Sequence, residues 1–302
     1  MLILNDPETL NKGFLNWLLF IVLSVIWGSS FIMMKEGLVY ISAYQVASIR
    51  ILASGIVLLP WAIKYFRQIP ANKIFVIFMS GVLGSLLPAY LFCVAEEKID
   101  SALAGTLNSL TPIFVIIIGA MFFQVRASTG KVIGIIIAFA GSILLLYSKG
   151  HIQESENLLY VSFILIATIC YGINVNMVFR NLKDVGSLQI AAVALSLNAI
   201  PALIVLISTG YFNKPIDSHV LYSSTHAAFL GVCGTAIASV LFYILIKRAG
   251  AIFSSLVTYG IPIIANIWGL IYGEEIGWMQ IACLGLLLVG VFIANRQSAK
   301  PR

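Results

Sequence analysis

Arg50 is the one ionised side chain that falls within a long apolar run of this 302-residue chain. A guanidinium in such a place has two interpretations. Its planar fork pairs with the carboxylate of a bound molecule, or it bonds carbonyls and polar groups of a neighbouring helix or extends toward the surface. Both interpretations remain open from the sequence, and Arg50 is therefore a candidate binding residue.

Two prolines mark a second pair of candidates. Proline removes the backbone hydrogen bond to the carbonyl four residues earlier, so Pro112 frees the carbonyl of Asn108 and Pro262 frees that of Thr258. Irregular backbone in an apolar medium is tolerated where it meets protein or a water-filled cavity. We therefore predict that Asn108 and Thr258 line a polar cavity that binds cargo. The alternative is hydrogen bonding between packed helices.

The remaining candidates share a polar or aromatic side chain within an apolar run. They are Trp27, Ser30, Tyr90, Tyr171, Asn174, Ser254, Tyr259 and Asn266. Ser254 lies four residues before Thr258 and Asn266 four after Pro262, so both are expected to continue one helical face. For each of these side chains, packing in the core or bonding between helices is the alternative interpretation.

Residues for catalysis or metal binding do not come together in the sequence. The twelve acids all lie at or beyond the ends of the apolar runs, and the three histidines lie in or near the segments between runs. The four cysteines lack the close spacing of metal ligands. We predict no metal, no cofactor and no enzymatic activity, because a membrane-embedded enzyme would need an acid pair, a Ser–His arrangement or a metal set.

The composition indicates which elements must position these residues. Hydrophobic residues make up 60% of the chain and charged residues 10%, whereas a soluble domain has roughly 25% charged residues. A spanning helix needs about 20 mostly apolar residues. Ten runs meet that requirement: 15–35, 43–63, 73–94, 101–123, 129–148, 158–179, 187–209, 225–246, 250–272 and 278–295. The chain is therefore predicted to be an all-α integral membrane protein with ten transmembrane helices, surrounded by the lipid bilayer.

The basic residues predict the orientation of these helices. If the N-terminus is cytoplasmic, thirteen of the 18 lysines and arginines fall in cytoplasmic segments, four fall outside and Arg50 lies within a span. This is the positive-inside distribution, and it places both termini in the cytoplasm. Because the net charge of +6 is accounted for by short loops, nucleic-acid binding is not predicted.

An internal repeat divides the chain into 1–150 and 151–302. The segment 81–92 aligns with 231–242 at a shift of 150, and Pro112 meets Pro262 at the same shift. Each half holds five helices, and an odd number requires the two halves to have opposite orientations. The expected architecture is two inverted five-helix repeats, with a site between them near the membrane midplane.

These residues make the chain similar to the EamA type of the drug/metabolite transporter superfamily. The resemblance rests on Trp27 to Phe31, Arg50, Ala102 to Pro112, Ala251 to Pro262, and Gly273-Glu274-Glu275 with Gly285 and Gly290. One departure is Phe123-Gln124-Val125-Arg126, which stands where the first repeat of the family usually has a Gly-Glu pair. No role is transferred to Gln124.

The resemblance implies a secondary transporter of the inner membrane with ten helices. It implies that the protein moves a small-molecule substrate, an amino acid or a related metabolite, usually by export, and that it works by alternating access. The alternative within the superfamily is proton-coupled efflux of hydrophobic cations, of the small multidrug type, which relies on a membrane carboxylate. The oligomeric state is left open, and a monomer is compatible with the sequence.

Overall fold

The structure is a computed structural model that describes residues 7–99, 101–148, 158–213, 215, 217–271 and 277–296. The predicted repeat boundary at 150 and 151 and the motif Gly273-Glu274-Glu275 lie outside these residues. The α-helices of the described part are α1 (Pro7–Gly37), α2 (Ala43–Phe66), α3 (Ala71–Gly81), α4 (Leu87–Glu96), α5 (Ser101–Asn108), α6 (Thr111–Phe122), α7 (Thr129–Ser148), α8 (Leu158–Asn181), α9 (Ser187–Ser208), α10 (Ser218–Phe229), α11 (Ala238–Ser255), α12 (Gly260–Ile271) and α13 (Trp278–Arg296).

The described helices are long and apolar enough for a multi-pass membrane protein. Seven helical stretches qualify as candidate spans, and the helices 129–145 and 278–294 are apolar but shorter. One of the seven, 218–268, covers 51 residues. Its backbone leaves helical geometry at Gly250, where φ is 87° and ψ is 167°. That conformation is essentially restricted to glycine, so the chain changes direction there.

One predicted boundary is wrong. The sequence placed a loop at 210–224, whereas α10 begins at Ser218. The reason is a helix cap: the side chain of Asp217 accepts a hydrogen bond from the backbone N–H of Val220 at 2.8 Å. Such a cap satisfies one of the free N–H groups in the first turn, and it allows the polar residues before 225 to join the helix.

Four interruptions of the helices come in two pairs. A π-helical segment, Val82–Leu86, joins α3 to α4, and a longer one, Leu230–Ile237, joins α10 to α11. α5 ends at Asn108 and α6 begins at Thr111, just before Pro112. A 3₁₀ segment, Leu256–Tyr259, precedes α12 and Pro262. Both pairs fall at positions that the shift of 150 residues relates.

The helices pack in a pattern that encloses the middle of the molecule. α2 packs along α9, and α7 packs along α13. α1 packs against α12, and α8 packs against α4 and α6. Two glycines permit the last contacts: a Cβ on Gly28 would come within 2.6 Å of Ile264 Cβ, and one on Gly172 within 3.0 Å of Phe114 Cβ.

Candidate functional site

A cavity lies between helices from both halves of the chain. Its empty volume, including the space on its open side, is about 890 Å³, which is in the range of small-molecule sites. Its walls are formed by Trp27, Ser30, Phe31, Met34, Arg50, Gly84, Ser85, Phe92, Asn108, Thr111, Tyr171, Asn174, Val175, Gly234, Thr235, Ser239, Phe242, Tyr243, Ser255, Thr258 and Ile261. The wall therefore combines one cation, hydroxyl and amide groups, and aromatic rings.

Arg50 supplies the charge of this wall. Its Nε donates to Thr235 Oγ1 at 2.8 Å, so the side chain joins α2 to the π-helical segment Leu230–Ile237. Within the described part of the chain, no other hydrogen bond from the guanidinium is present, and no carboxylate lines the cavity. The two sequence interpretations of Arg50 thus coexist, because one nitrogen bonds a neighbouring helix while the side chain also borders the cavity.

Trp27 and Ser30 form the α1 side of the cavity. The indole Nε1 of Trp27 donates to the carbonyl of Gly234 at 3.0 Å, and its ring meets Phe242 edge-on with centroids 4.9 Å apart. Ser30 Oγ donates to the carbonyl of Ile26 at 2.7 Å. These bonds satisfy polar groups that an irregular π-helical backbone and a buried hydroxyl would otherwise leave unpaired.

Tyr171 and Asn174 form the α8 side. The Tyr171 ring is stacked on Phe92, with centroids 6.2 Å apart and planes at 30°. Asn174 Oδ1 accepts from Ser80 Oγ at 2.7 Å, and Ser80 Oγ lies 3.2 Å from the hydroxyl of Tyr243. The network holds the amide of Asn174 in one orientation, with its nitrogen beside Gly84.

Asn108 and Thr258 reach the cavity from the two interrupted helices. Asn108 Oδ1 accepts from Thr111 Oγ1 at 3.3 Å across the break between α5 and α6. Thr258 Oγ1 donates to the carbonyl of Ser255 at 3.0 Å within the 3₁₀ segment. Both side chains therefore have a local partner, and both border the cavity.

Four predicted residues do not line the cavity, and no binding role is assigned to them. Tyr90 lies behind the wall, where its hydroxyl is 2.7 Å from Ser48 Oγ. Tyr259 donates to the carbonyl of Ile135 on α7 at 3.0 Å. Ser254 bonds its own helix, and Asn266 donates to the carbonyl of Pro262. Each position satisfies a polar group in the core, which was the alternative interpretation.

The structure replaces Ser254 with Ser255 for a geometric reason. The sequence prediction used a spacing of four residues from Thr258, as in an α-helix. A 3₁₀ helix has three residues per turn, and Leu256–Tyr259 is 3₁₀. The face of Thr258 therefore continues at Ser255, whose hydroxyl is buried at the cavity wall.

Three further polar residues of the wall were missed: Ser85, Thr235 and Ser239. A signal was available for two of them, because Ser85 and Thr235 are related by the shift of 150 residues and both carry hydroxyls. Among the described residues, no group of three or more His, Cys, Asp or Glu is placed to hold a metal ion.

A multi-pass helical membrane protein with a central cavity of this kind is a transporter in architecture, and the comparisons agree. A sequence profile of the EamA-like transporter family matches residues 15–147 and again 158–296. The chain belongs to the EamA-like transporter family.

Curated relatives match along nearly their whole length. An uncharacterized transporter of Archaeoglobus fulgidus is 25% identical over 93% of this chain and 99% of its own. Protein PagO of Salmonella typhimurium is 21% identical over 91% of each chain. The uncharacterized inner membrane transporter YedA of Escherichia coli is 24% identical over 90% of this chain and 88% of its own.

A solved crystal structure shows the same fold. It superposes with a TM-score of 0.70 and 18% sequence identity, covering 94% of this chain and 98% of the other. The fold and family together establish a membrane transporter.

Proposed function

We propose that this protein is a secondary transporter that carries a small anionic metabolite, such as a carboxylate with an apolar group, by alternating access. The observation that carries the proposal is Arg50, which is the only charged side chain of the cavity wall within the described residues. A guanidinium in a low-dielectric site binds a carboxylate by charge-assisted hydrogen bonds. Trp27, Tyr171 and Phe92 provide aromatic surface for the apolar part of the cargo.

The proposal includes ten spans in two inverted repeats, 1–150 and 151–302. Ten spans result when the stretch 218–268 is counted as two helices separated at Gly250 and the two shorter apolar helices are included. Equivalent contacts in the two halves support the inversion. Gly84 meets Asn174, and Gly234 meets Ser30, where residue 84 corresponds to 234 at a shift of 150 and residue 30 to 174 at a shift of 144.

The same correspondence shows where the halves differ. Gly81 meets the carbonyl of Ala194, and Gly231 meets the carbonyl of Arg50, so position 194 is the counterpart of position 50. One half contributes a cation and the other a methyl group. A cargo with one anionic group is therefore oriented by Arg50, whereas a symmetric cavity would leave its orientation undetermined.

Cytoplasmic termini, inner-membrane location and export are also part of the proposal. The distribution of basic residues supports the topology, and the printed description of YedA as an inner membrane transporter supports the location. Export is the role that the family resemblance implies. An amino acid would place its carboxylate at Arg50 and its ammonium group against the faces of Trp27 and Tyr171, as in cation–π pairs.

Transport into proteoliposomes tests the proposal, with phenyllactate and its uncharged amide as paired probes in a panel of amino acids and hydroxy acids. We expect phenyllactate to be carried in preference to the amide. Arg50→Gln should lower phenyllactate transport by about tenfold or more, since a charge-assisted bond contributes about 1.5–3 kcal/mol. Arg67→Gln, at the exposed end of the same helix, should have no effect. The proposal fails if no solute moves under any gradient, or if Arg50→Gln transports both probes like the native protein.

Efflux of hydrophobic cations is the second candidate. It would require a negative group to offset the charge of the cargo, whereas the described wall carries only a positive one. Moving tetraphenylphosphonium in the same proteoliposomes, faster than phenyllactate and independently of Arg50, would favour this candidate over the proposal.

A further inference from the structure

Glu96 is a buried carboxylate outside the cavity wall. It is the last residue of α4, and only 9% of its side chain is exposed. Its Oε2 accepts a hydrogen bond from Ser101 Oγ at 2.9 Å. Its Oε1 is buried and has no hydrogen-bond partner among the described residues. The sequence places this acid at the end of a helix, but the neighbouring helices enclose it.

Glu96 lies one helical turn from the cavity. Phe92, four residues earlier on the same face of α4, is part of the cavity wall. Between them, Cys93 Sγ contacts Met34 Sδ of α1 at 3.4 Å, so α1 closes over this part of α4. The carboxylate therefore occupies a site that is enclosed by protein and close to the bound cargo.

Two cations act electrostatically on Glu96. They are Lys35, in the last turn of α1, and Arg50 on α2. Neither is the hydrogen-bond partner of the carboxylate. The influence of Arg50 links Glu96 to the cavity, because Arg50 is also the proposed anchor of the cargo.

The other groups around Glu96 do not provide a competing charge. α5 contributes the Ser101 hydroxyl, and α8 faces α4 with Tyr171, which stacks on Phe92. On α4 itself, the neighbouring ionisable groups are Cys93 and the Glu97 position that follows the helix. Glu97 is exposed, and its Oε1 accepts from the backbone N–H of Ala43 at 3.0 Å.

Binding of an anion at Arg50 would change the state of Glu96. A buried carboxylate with an unpaired oxygen is costly when ionised, and the nearby cations offset part of that cost. An anion on Arg50 cancels part of this positive potential, so a proton then binds Glu96 more readily. Since such coupling is reciprocal, a proton on Glu96 strengthens anion binding by the same factor.

We propose that Glu96 is a proton-binding site whose protonation is coupled through Arg50 to the anion in the cavity, so that the cargo crosses the membrane together with a proton. This inference rests on the proposed anionic cargo. It assigns the coupling ion, and it differs from the cation-exchange scheme because proton and cargo bind together instead of competing.

Infrared pH titration of the purified full-length protein, without cargo, tests the inference. The carbonyl band of a protonated carboxylic acid reports Glu96 directly, and the matched variants are Glu96→Gln and Glu97→Gln. We expect a titrating band that is absent in Glu96→Gln and retained in Glu97→Gln. Arg50→Gln removes the charge as a bound anion would, and should move the midpoint of the Glu96 band upward by about one pH unit or more. Arg50→Lys should leave it near the native value.

Each outcome of the titration decides between coupling and its absence. A spectrum unchanged in Glu96→Gln between pH 4 and pH 10 would overturn the proton site. An Arg50→Gln midpoint equal to the native one, in protein that still elutes as a folded species in size-exclusion chromatography, would overturn the coupling. Because no cargo is used, the result is separate from that of the transport assay, and either proposal can fail alone.

Discussion

At the scale of single residues, Trp27 connects the two halves of the chain at the cavity wall. Its indole N–H bonds the carbonyl of Gly234 at 3.0 Å within a π-helical segment. Trp27→Phe keeps an aromatic ring but leaves this carbonyl without its donor, so we expect a loss of stability of about 1 kcal/mol. The measurement is the thermal unfolding midpoint in detergent.

Trp61 provides the matched control for that prediction. It lies on α2 with 42% of its surface exposed, so Trp61→Phe should leave the unfolding midpoint nearly unchanged. Equal midpoints for Trp27→Phe and Trp61→Phe would show that the bond to Gly234 contributes nothing.

The residues that the sequence placed correctly at the cavity are those next to a backbone irregularity or a repeat partner. Asn108 and Thr258 were indicated by proline positions, and Trp27 and Tyr171 by the shift of 144 residues. Tyr259 was misplaced because a single helix offers several faces, and its hydroxyl turned out to serve a carbonyl of α7. Which face meets the cavity depends on helix rotation, and a change from 3.6 to three residues per turn is not encoded by periodicity.

At the scale of elements, α7 and α13 pack through small residues. A Cβ on Gly290 would lie 2.6 Å from the carbonyl oxygen of Gly134, and it would also clash with the backbone of Ala138. Neither backbone can move without separating the helices. Gly290→Ala should therefore lower stability by about 1–3 kcal/mol, measured as the unfolding midpoint or as yield in size-exclusion chromatography.

Gly285 is the matched control on the same helix. The sequence suggested a packing role for it, yet nothing lies within 4 Å of the position of its Cβ. Gly285→Ala should be neutral or stabilising by up to about 1 kcal/mol, because alanine has the higher helix propensity. If Gly285→Ala destabilised the protein as much as Gly290→Ala, the packing of α7 on α13 would differ from the one described.

The end of α6 has a strained backbone at Gln124. Its φ is 54°, which is the left-handed region, and the N–H groups of Phe123 and Val125 both donate to the carbonyl of Gly119. Glycine is the favoured residue at such a C-terminal cap. Gln124→Gly should raise stability by about 1 kcal/mol, whereas Gln124→Ala should not. Equal unfolding midpoints for the two variants would contradict this account.

Element boundaries were predictable where composition changes sharply. The ends of α2, α7 and α9 fall within about three residues of the predicted runs, because lysines, arginines and turns delimit them. The π-helical segments were not predictable, since Pro88 follows the first but no proline follows the second. They depend on contacts between helices, such as the close approach of Gly231 to the carbonyl of Arg50.

At the scale of the whole molecule, the cavity lies between structural pairs that the repeat relates, and transport requires these pairs to separate alternately. One end is closed by aromatic contacts between α1 and the end of α11. Phe20 and Phe253 have ring centroids 6.1 Å apart, and Trp17 meets both rings edge-on. Ser24, one turn further along α1, lies against Gly260. This end must open for cargo to enter or leave on that side.

Cross-linking Phe20→Cys to Phe253→Cys with a short bifunctional thiol reagent should therefore stop net transport of phenyllactate. The four native cysteines, three buried and one partly buried, would first be replaced by alanine or serine, and transport by that background would be verified. We expect binding measured by equilibrium dialysis to persist, because the cavity lies beyond the cross-link, and a cleavable reagent should restore transport on reduction. Cross-linking across the α2–α9 contact, which the correspondence of the halves maps onto itself, should reduce transport much less. Full transport by the Phe20–Phe253 cross-linked protein would rule out alternating access through this end, since a closed end cannot exchange cargo unless the two helices part.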